Sequence, residues 1–256
     1  AGETWTEITG DLPEDASSFV VKQGHRNEDL LFVGTATGVY ASVEGGGRWV
    51  RLGEGLPTVE VKDLEVVPRT RELAVATYGR GMYVLEVGPL EELTTDVMDE
   101  PAHLFSVGDA RQYRQASTYG EFGDAFFRTG VVEPSARISY WVGEEQAGDV
   151  SLEIRKGPEE GNGDAEEAGA VESVEERGEP IASLSGSGEV GLHTVSWDLT
   201  RDEPRPRRLG DPTSSFELRR VLPGAYTVTL EVGDRTMTES FEVLDGWERR
   251  TPGRVR

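Results

Sequence analysis

Apolar side chains in this sequence come in short runs, and clusters of turn-forming residues cut the runs apart. Phe19-Val20-Val21, Leu30-Leu31-Phe32-Val33 and Gly38-Val39-Tyr40-Ala41-Ser42 are three such runs, with a fourth beginning at Trp49. The interruptions at 24–29 and 35–37 are too brief for anything but tight turns, so this stretch predicts four short antiparallel strands. A second set follows at Val61 to Val67, Leu73-Ala74-Val75-Ala76-Thr77 and Gly81-Met82-Tyr83-Val84-Leu85. Neither set alternates cleanly, which suits strands covered on both faces. Beyond residue 135 the alternation becomes strict. Ala136 to Val142, Val150 to Arg155, Ile181 to Leu184, Gly191 to Leu199, Ala225 to Val232 and Thr236 to Val243 each predict a strand with one wet face. Gly233-Asp234 joins the last two as a two-residue hairpin signal.

The first two sets repeat. Trp5 and Trp49 lie 44 residues apart, and WTEITGDLP (5–13) keeps step with WVRLGEGLP (49–57). Gly38 and Tyr40 recur as Gly81 and Tyr83 at a spacing of 43. A period of about 40–45 residues filled with four short strands marks the blades of a β-propeller. Residues 1–88 are therefore expected to form about two four-stranded blades. A propeller closes with ~4–8 blades. Further blades are expected upstream, as partners of these two within a larger protein of which this is the C-terminal part.

Ser42-Val43-Glu44-Gly45-Gly46-Gly47-Arg48-Trp49, with Gly2, Thr4 and Trp5 as a partial earlier copy, resembles the Asp-box of the bacterial neuraminidase repeat. Its turn needs φ > 0 at a glycine, the place held by Gly46 and Gly2. Ser42 and a carboxylate bond the turn's own amides, and the Trp ring plugs the space beneath. Glu44 stands where the repeat has Asp, and Arg48 where it has Thr. The resemblance implies a structural role for these residues. The stretch 73–87, LAVATYGRGMYVLEV, is similar to the last blade of sortilin-like proteins and glycosyl hydrolase repeat proteins. A late tyrosine nucleophile and arginine in sialidases make Tyr78 and Arg80 the pocket candidates. Against catalysis, Gly79 and Gly81 bracket Arg80 as a tight turn, and an unactivated phenol is a poor nucleophile.

The six later strands indicate an immunoglobulin- or fibronectin-like sandwich, with Trp141 and Trp197 as core aromatics. GLHTVSWDL and LPGAYTVTLEVGD resemble the C-terminal sandwich of the same repeat proteins. The expected organisation is all-β: propeller blades at 1–88, an exit segment at 89–123, a sandwich at 124–245 and a basic tail at 246–256. Ala125-Phe126-Phe127-Arg128 is expected as its entering strand. PLEEL (89–93) and AHLF (102–105) are expected to complete an outer strand or to pack on the propeller's side. Residues 157–180 hold nine carboxylates and one arginine, too polar to offset the entropy of ordering, and are expected as a disordered loop. Residues 201–214 are expected as a second long loop.

Charge and composition narrow the chemistry. A net charge of −22 argues against a nucleic-acid surface, which needs clustered cations. The chain has no cysteine, so disulfides and thiolate metal sites are excluded. His25, His103 and His193 lie far apart, and no EF-hand spacing occurs, so no metal or cofactor is expected. No run reaches the ~18 apolar residues of a membrane span. Low lysine with many acids fits either a salt-adapted source or a GC-rich genome. The function expected is an extracytoplasmic scaffold binding a peptide, protein or glycan. Two alternatives remain: a glycoside hydrolase whose catalytic carboxylates lie in other blades, with Glu60 and Asp63 the only local candidates, and an assembly factor.

Overall fold

The structure is a computed structural model that describes residues 2, 4–14, 16–53, 55–112, 134–144, 150–157, 180–206 and 218–246. The chain is all-β and divides into two units, residues 1–101 and 102–256. Residues 125–128, most of the acidic insertion, the second half of the 201–214 loop and the basic tail lie outside the described residues.

The first unit holds two antiparallel sheets. One is built from β1 (Ser18–Gln23), β2 (Leu31–Thr35), β3 (Val39–Ser42) and β4 (Val50–Arg51), in that spatial order. The other consists of β5 (Val61–Val67), β6 (Glu72–Thr77) and β7 (Met82–Glu86), again in chain order. Strands β2 and β3 are buried almost throughout because both faces are covered. Phe32, Val39 and Ala41 pack with Val61, Leu64, Leu73 and Val75 of the second sheet, while Val33 and Tyr40 pack with Trp49 on the opposite face. Close approach of the sheets requires Gly34. A Cβ there would lie 2.7 Å from Val20 Cγ1 and 2.7 Å from Val61 Cγ1, so any side chain would force the sheets apart.

Among the described residues the second sheet has three strands where four were expected. After β7 the chain turns into α1 (Gly88–Glu92) and α2 (Thr95–Met98). Residues 89–93, expected either to complete an outer strand or to pack on the propeller's side, form no strand: Pro89 sits in the first turn of α1, where its fixed φ and missing N–H favour helix. Arg71 fastens α1 to the β5–β6 turn. It adopts φ 56, donates to the Gly88 carbonyl and pairs with the carboxylates of Glu91 and Glu92.

Among the described residues the second unit is a sandwich of eight strands: β8 (Ala102–Leu104), β9 (Ala110–Gln112), β10 (Ala136–Val142), β11 (Val150–Lys156), β12 (Ala182–Gly186), β13 (Gly191–Trp197), β14 (Gly224–Val232) and β15 (Arg235–Asp245). One sheet runs β13-β10-β8 and the other β12-β11-β14-β15-β9. All pairs are antiparallel except β9 on β15. Residues 102–112, expected within the exit segment, thus supply two sandwich strands. The β14–β15 hairpin turns on Gly233 at φ 61, with Val232 opposite Arg235.

Between the sheets, Trp197, Tyr226 and Phe241 meet with ring centroids 5.7–6.2 Å apart. The polar ends of the buried aromatics are satisfied: Trp197 Nε1 donates to the Thr200 carbonyl at 2.8 Å and Tyr140 Oη to that of Ser187 at 2.9 Å. Trp141 departs from expectation. It is half-buried on the outer face of β10, opposite His103 and Leu192. Successive residues of a strand point to opposite faces, so with Tyr140 in the core its neighbour cannot be.

Candidate functional site

Equivalent positions of the repeat touch one another where β1 and β5 run side by side. Lys22 Nζ lies 2.9 Å from Glu65 Oε2, and these two residues are separated by the repeat spacing of 43. Glu65 both accepts a hydrogen bond from the Lys22 ammonium and attracts it, which raises the Lys22 pKa. Three residues earlier in each strand the same relation recurs. Phe19 and Lys62 are also 43 apart, and Lys62 Nζ sits 3.7 Å from the centroid of the Phe19 ring.

Both of the latter residues are set by irregular pairing. The β1–β2 register shifts between Ser18 and Val20, and the β5–β6 register shifts between Val61 and Asp63. Each bulge frees one residue from the ladder and re-aims its side chain, a device found next to functional sites. The third member comes from a hairpin. Ala36 N donates to the Ser17 carbonyl at 2.9 Å, and Tyr78 N to the Glu60 carbonyl at 2.8 Å, so Tyr78 takes in the second sheet the place of Ala36 in the first. The β6–β7 turn is one residue longer, and Gly79 and Gly81 take φ 78 and 83 to accommodate it. The Tyr78 ring thereby reaches 5.7 Å from Lys62 Nζ.

The result is an ammonium held between two exposed aromatic rings. Phe19 is 44% and Tyr78 72% accessible, while Glu60 Oε2 balances Lys62 at 2.7 Å. Arg80 is exposed on the same turn. Such a cluster offers cation, carboxylate and ring face together, at a modest ~0.5–1 kcal/mol per exposed cation–π contact. For proton abstraction or nucleophilic attack it is poorly suited. Glu60 is committed to Lys62, and Asp63 Oδ1 accepts from the Leu64 amide at 2.9 Å. Among the described residues no group of three or more metal-ligating side chains converges.

The residues of the Asp-box pattern lie elsewhere in the first unit. Gly45 and Gly46 take φ 65 and 96, and Ser42 Oγ accepts from the amides of Gly46 at 2.9 Å and Glu44 at 3.3 Å. Trp49 is buried, its Nε1 donating to the carbonyls of Ile8 and Gly46 at 3.0 and 3.1 Å. The Glu44 side chain is exposed. The carboxylate that the turn uses is Asp11, whose Oδ1 accepts from Trp49 N at 2.6 Å. Sequence reasoning missed Asp11 and Ile8 because the repeat aligns them with Gly55 and Leu52, which have no such part. Gly2 takes φ 88 and Thr4 is exposed. Trp5, expected as a second plug, is 92% accessible. Trp49, by contrast, is enclosed by Val33 and Tyr40.

In the second unit a cavity of about 340 Å³ opens beside Trp197, with Asp198, Thr200 and Asp202 on its wall. Both carboxylates serve the local backbone: Asp198 Oδ1 accepts from Thr200 N at 3.1 Å and Asp202 Oδ2 from Ser183 N at 2.9 Å. His193 stacks on Tyr140 at 5.4 Å and His103 meets Phe105 at 5.0 Å, both as packing contacts.

No family model and no curated protein matches the chain. Among solved structures it is similar to PorZ, an essential bacterial surface component of the type-IX secretion system of Porphyromonas gingivalis. The identity is 13% and the TM-score 0.28, over 90% of this chain and 23% of that one. It is also similar to the extracellular domain of BT4673 from B. thetaiotaomicron, at 9% identity and a TM-score of 0.23, over 91% of this chain and 26% of that one. The chain thus spans about a quarter of the length of each neighbour. A likeness at these TM-scores transfers no function. No helix among the described residues is long and apolar enough to cross a membrane.

Proposed function

We propose that the chain is part of an extracytoplasmic propeller–sandwich protein of the Asp-box, sortilin-like type. In this reading it binds a peptide, protein or glycan without turning it over, and the contact surface is the cluster of Phe19, Lys62 and Tyr78. The observation that supports it most is the pair of bulges at equivalent repeat positions. Two neighbouring first strands each give up ladder pairing to aim a side chain at the same point. Tyr78, which stands where the other sheet has Ala36, is 72% accessible. Exposed aromatics beside a charge are the side chains that carry binding energy at interfaces.

The carboxylates nearest the cluster are bonded to Lys62 and to the Leu64 amide, which favours binding over hydrolysis. Selecting ligands from a displayed random-peptide library and an oligosaccharide array, with amide shifts recorded on the isotope-labelled chain, tests this reading. Binders should shift Phe19, Lys62 and Tyr78 first. Turnover of aryl glycosides by the chain would overturn it.

A further inference from the structure

The cavity beside Trp197 in the second unit has an apolar part, Ala182, Leu184 and Trp197, and a polar part, Asp198, Thr200 and Asp202. Its volume of about 340 Å³ is at the small end of the ~300–1,000 Å³ of ligand pockets, which suits one side chain better than an extended ligand. The polar wall is held in place by backbone bonds. Leu199, between Asp198 and Thr200, is buried at φ 60, a left-handed conformation that bulky side chains rarely take and that gathers at ligand sites. Val221 N donates to the Leu199 carbonyl at 3.0 Å, Arg201 N to that of Arg219 at 2.7 Å and Asp202 N to that of Ile181 at 3.0 Å. Within that frame each carboxylate commits one oxygen. Asp198 Oδ1 accepts from the amide and the hydroxyl of Thr200 at 3.1 and 2.6 Å, and Asp202 Oδ2 from the Ser183 amide at 2.9 Å. Among the described residues Asp198 Oδ2 and Asp202 Oδ1 accept no hydrogen bond, and neither carboxylate is ion-paired.

We infer that this cavity takes a guanidinium on an aliphatic stem, the chemistry of an arginine side chain presented by a partner peptide. Two carboxylates with a free oxygen each call for a cation with several N–H donors, and the guanidinium fork carries five. It is also less hydrated than an ammonium, so entering a cavity with apolar walls costs it less. The stem finds cover on Ala182 and Leu184, as basic side chains do when they lay their methylenes on apolar surface. A metal ion fits less well, because among the described residues no group of three or more ligating side chains converges. An anion would be repelled by both aspartates. The net charge of −22 draws cationic partners to the chain. Asp198 and Asp202 are exposed and their charges are screened, so a single side chain binds weakly, on the order of millimolar. The site lies in the second unit and is independent of the ligand reading for Phe19, Lys62 and Tyr78.

Titration of the isotope-labelled full chain with N-acetylarginine amide tests the inference, with N-acetylcitrulline amide as the uncharged isostere. The amides of Ser183 and Thr200 and the Trp197 indole report on the cavity, because they are bonded to its two carboxylates and to the Thr200 carbonyl. The expected result is a saturable shift of those three signals with the arginine probe and none with citrulline. Asp198→Asn and Asp202→Asn each keep an oxygen for the backbone amide while removing the charge, so the fold is retained, and the amide spectrum of each variant verifies it. Each should weaken binding by about tenfold, the loss of one hydrogen bond to a charged group. No shift with the arginine probe, or equal shifts with citrulline, would overturn the inference. So would shifts that spread over other acidic residues without saturating, or unchanged affinity in both folded variants.

Discussion

Phe19 and Lys62 stand at the same place in successive sheets, each at a β-bulge, and the ammonium of one lies 3.7 Å from the ring centroid of the other. The side chains of a repeat usually meet their neighbours in the core. Here a pair meets at the surface, within reach of Tyr78.

That contact predicts a measurable coupling. A double-mutant cycle of Phe19→Ala and Lys62→Ala, read by urea denaturation of the full chain, should give about 0.5–1 kcal/mol. Strict additivity of the two substitutions would show that the rings and the ammonium do not interact in solution.

The two repeat tryptophans should behave oppositely. Trp49 is buried and bonded through both its indole and backbone nitrogens, so Trp49→Ala should cost about 3–5 kcal/mol. Trp5→Ala should stay within about 0.5 kcal/mol. Equal losses in parallel denaturation curves would mean that Trp5 is as enclosed as Trp49.

The turn that seats Trp49 depends on Ser42, which is buried and accepts from two amides. Ser42→Ala should destabilise by about 1–3 kcal/mol, the cost of leaving buried donors unmet. Glu44→Ala should be near neutral, because that side chain is exposed. Gly46→Ala should be severe. It combines φ 96 with a Cβ that would lie 2.6 Å from Ile8 Cβ.

The sandwich should lose stability in alkali. Burial raises the Tyr140 phenol above its ordinary value of 10.0 in the folded chain. Above pH 10 the unfolded chain therefore holds fewer protons than the folded one. The stabilisation is complete below the unfolded pKa and is lost as pH rises through the folded pKa. Tyr140→Phe should flatten this alkaline branch of a pH series of melts, and an unchanged branch would refute the assignment to Tyr140.

Much of the strand plan is legible in the sequence, because short apolar runs between turn residues leave few alternatives. Val61–Val67 and Ala136–Val142 match the observed strands end to end. The repeat also placed Gly46 in its left-handed turn. What escaped depends on context. Residues 89–93 read as an outer strand or a packed segment but open a helix at Pro89, and Trp141 reads as core until Tyr140 claims the inner face. Trp5 carries the motif yet is exposed, whereas Val33 and Tyr40 enclose Trp49. The Phe19–Lys62 contact was hidden for another reason. Their spacing is in the sequence, but two bulges decide where the side chains point, and nothing in the apolar pattern announces a bulge.

Binding affinity at that cluster tests the account most directly. Ligands selected on the wild-type chain should be measured against Tyr78→Ala, which returns the turn residue to the alanine of the first sheet, and against Lys62→Ala. Both substitutions lie at the surface and should leave the melting curve within about 0.5–1 kcal/mol of wild type. The account predicts a loss of roughly tenfold or more in affinity for each, the 1.4 kcal/mol expected of a contributing contact. Unchanged affinity in both variants, with the fold intact, would contradict it.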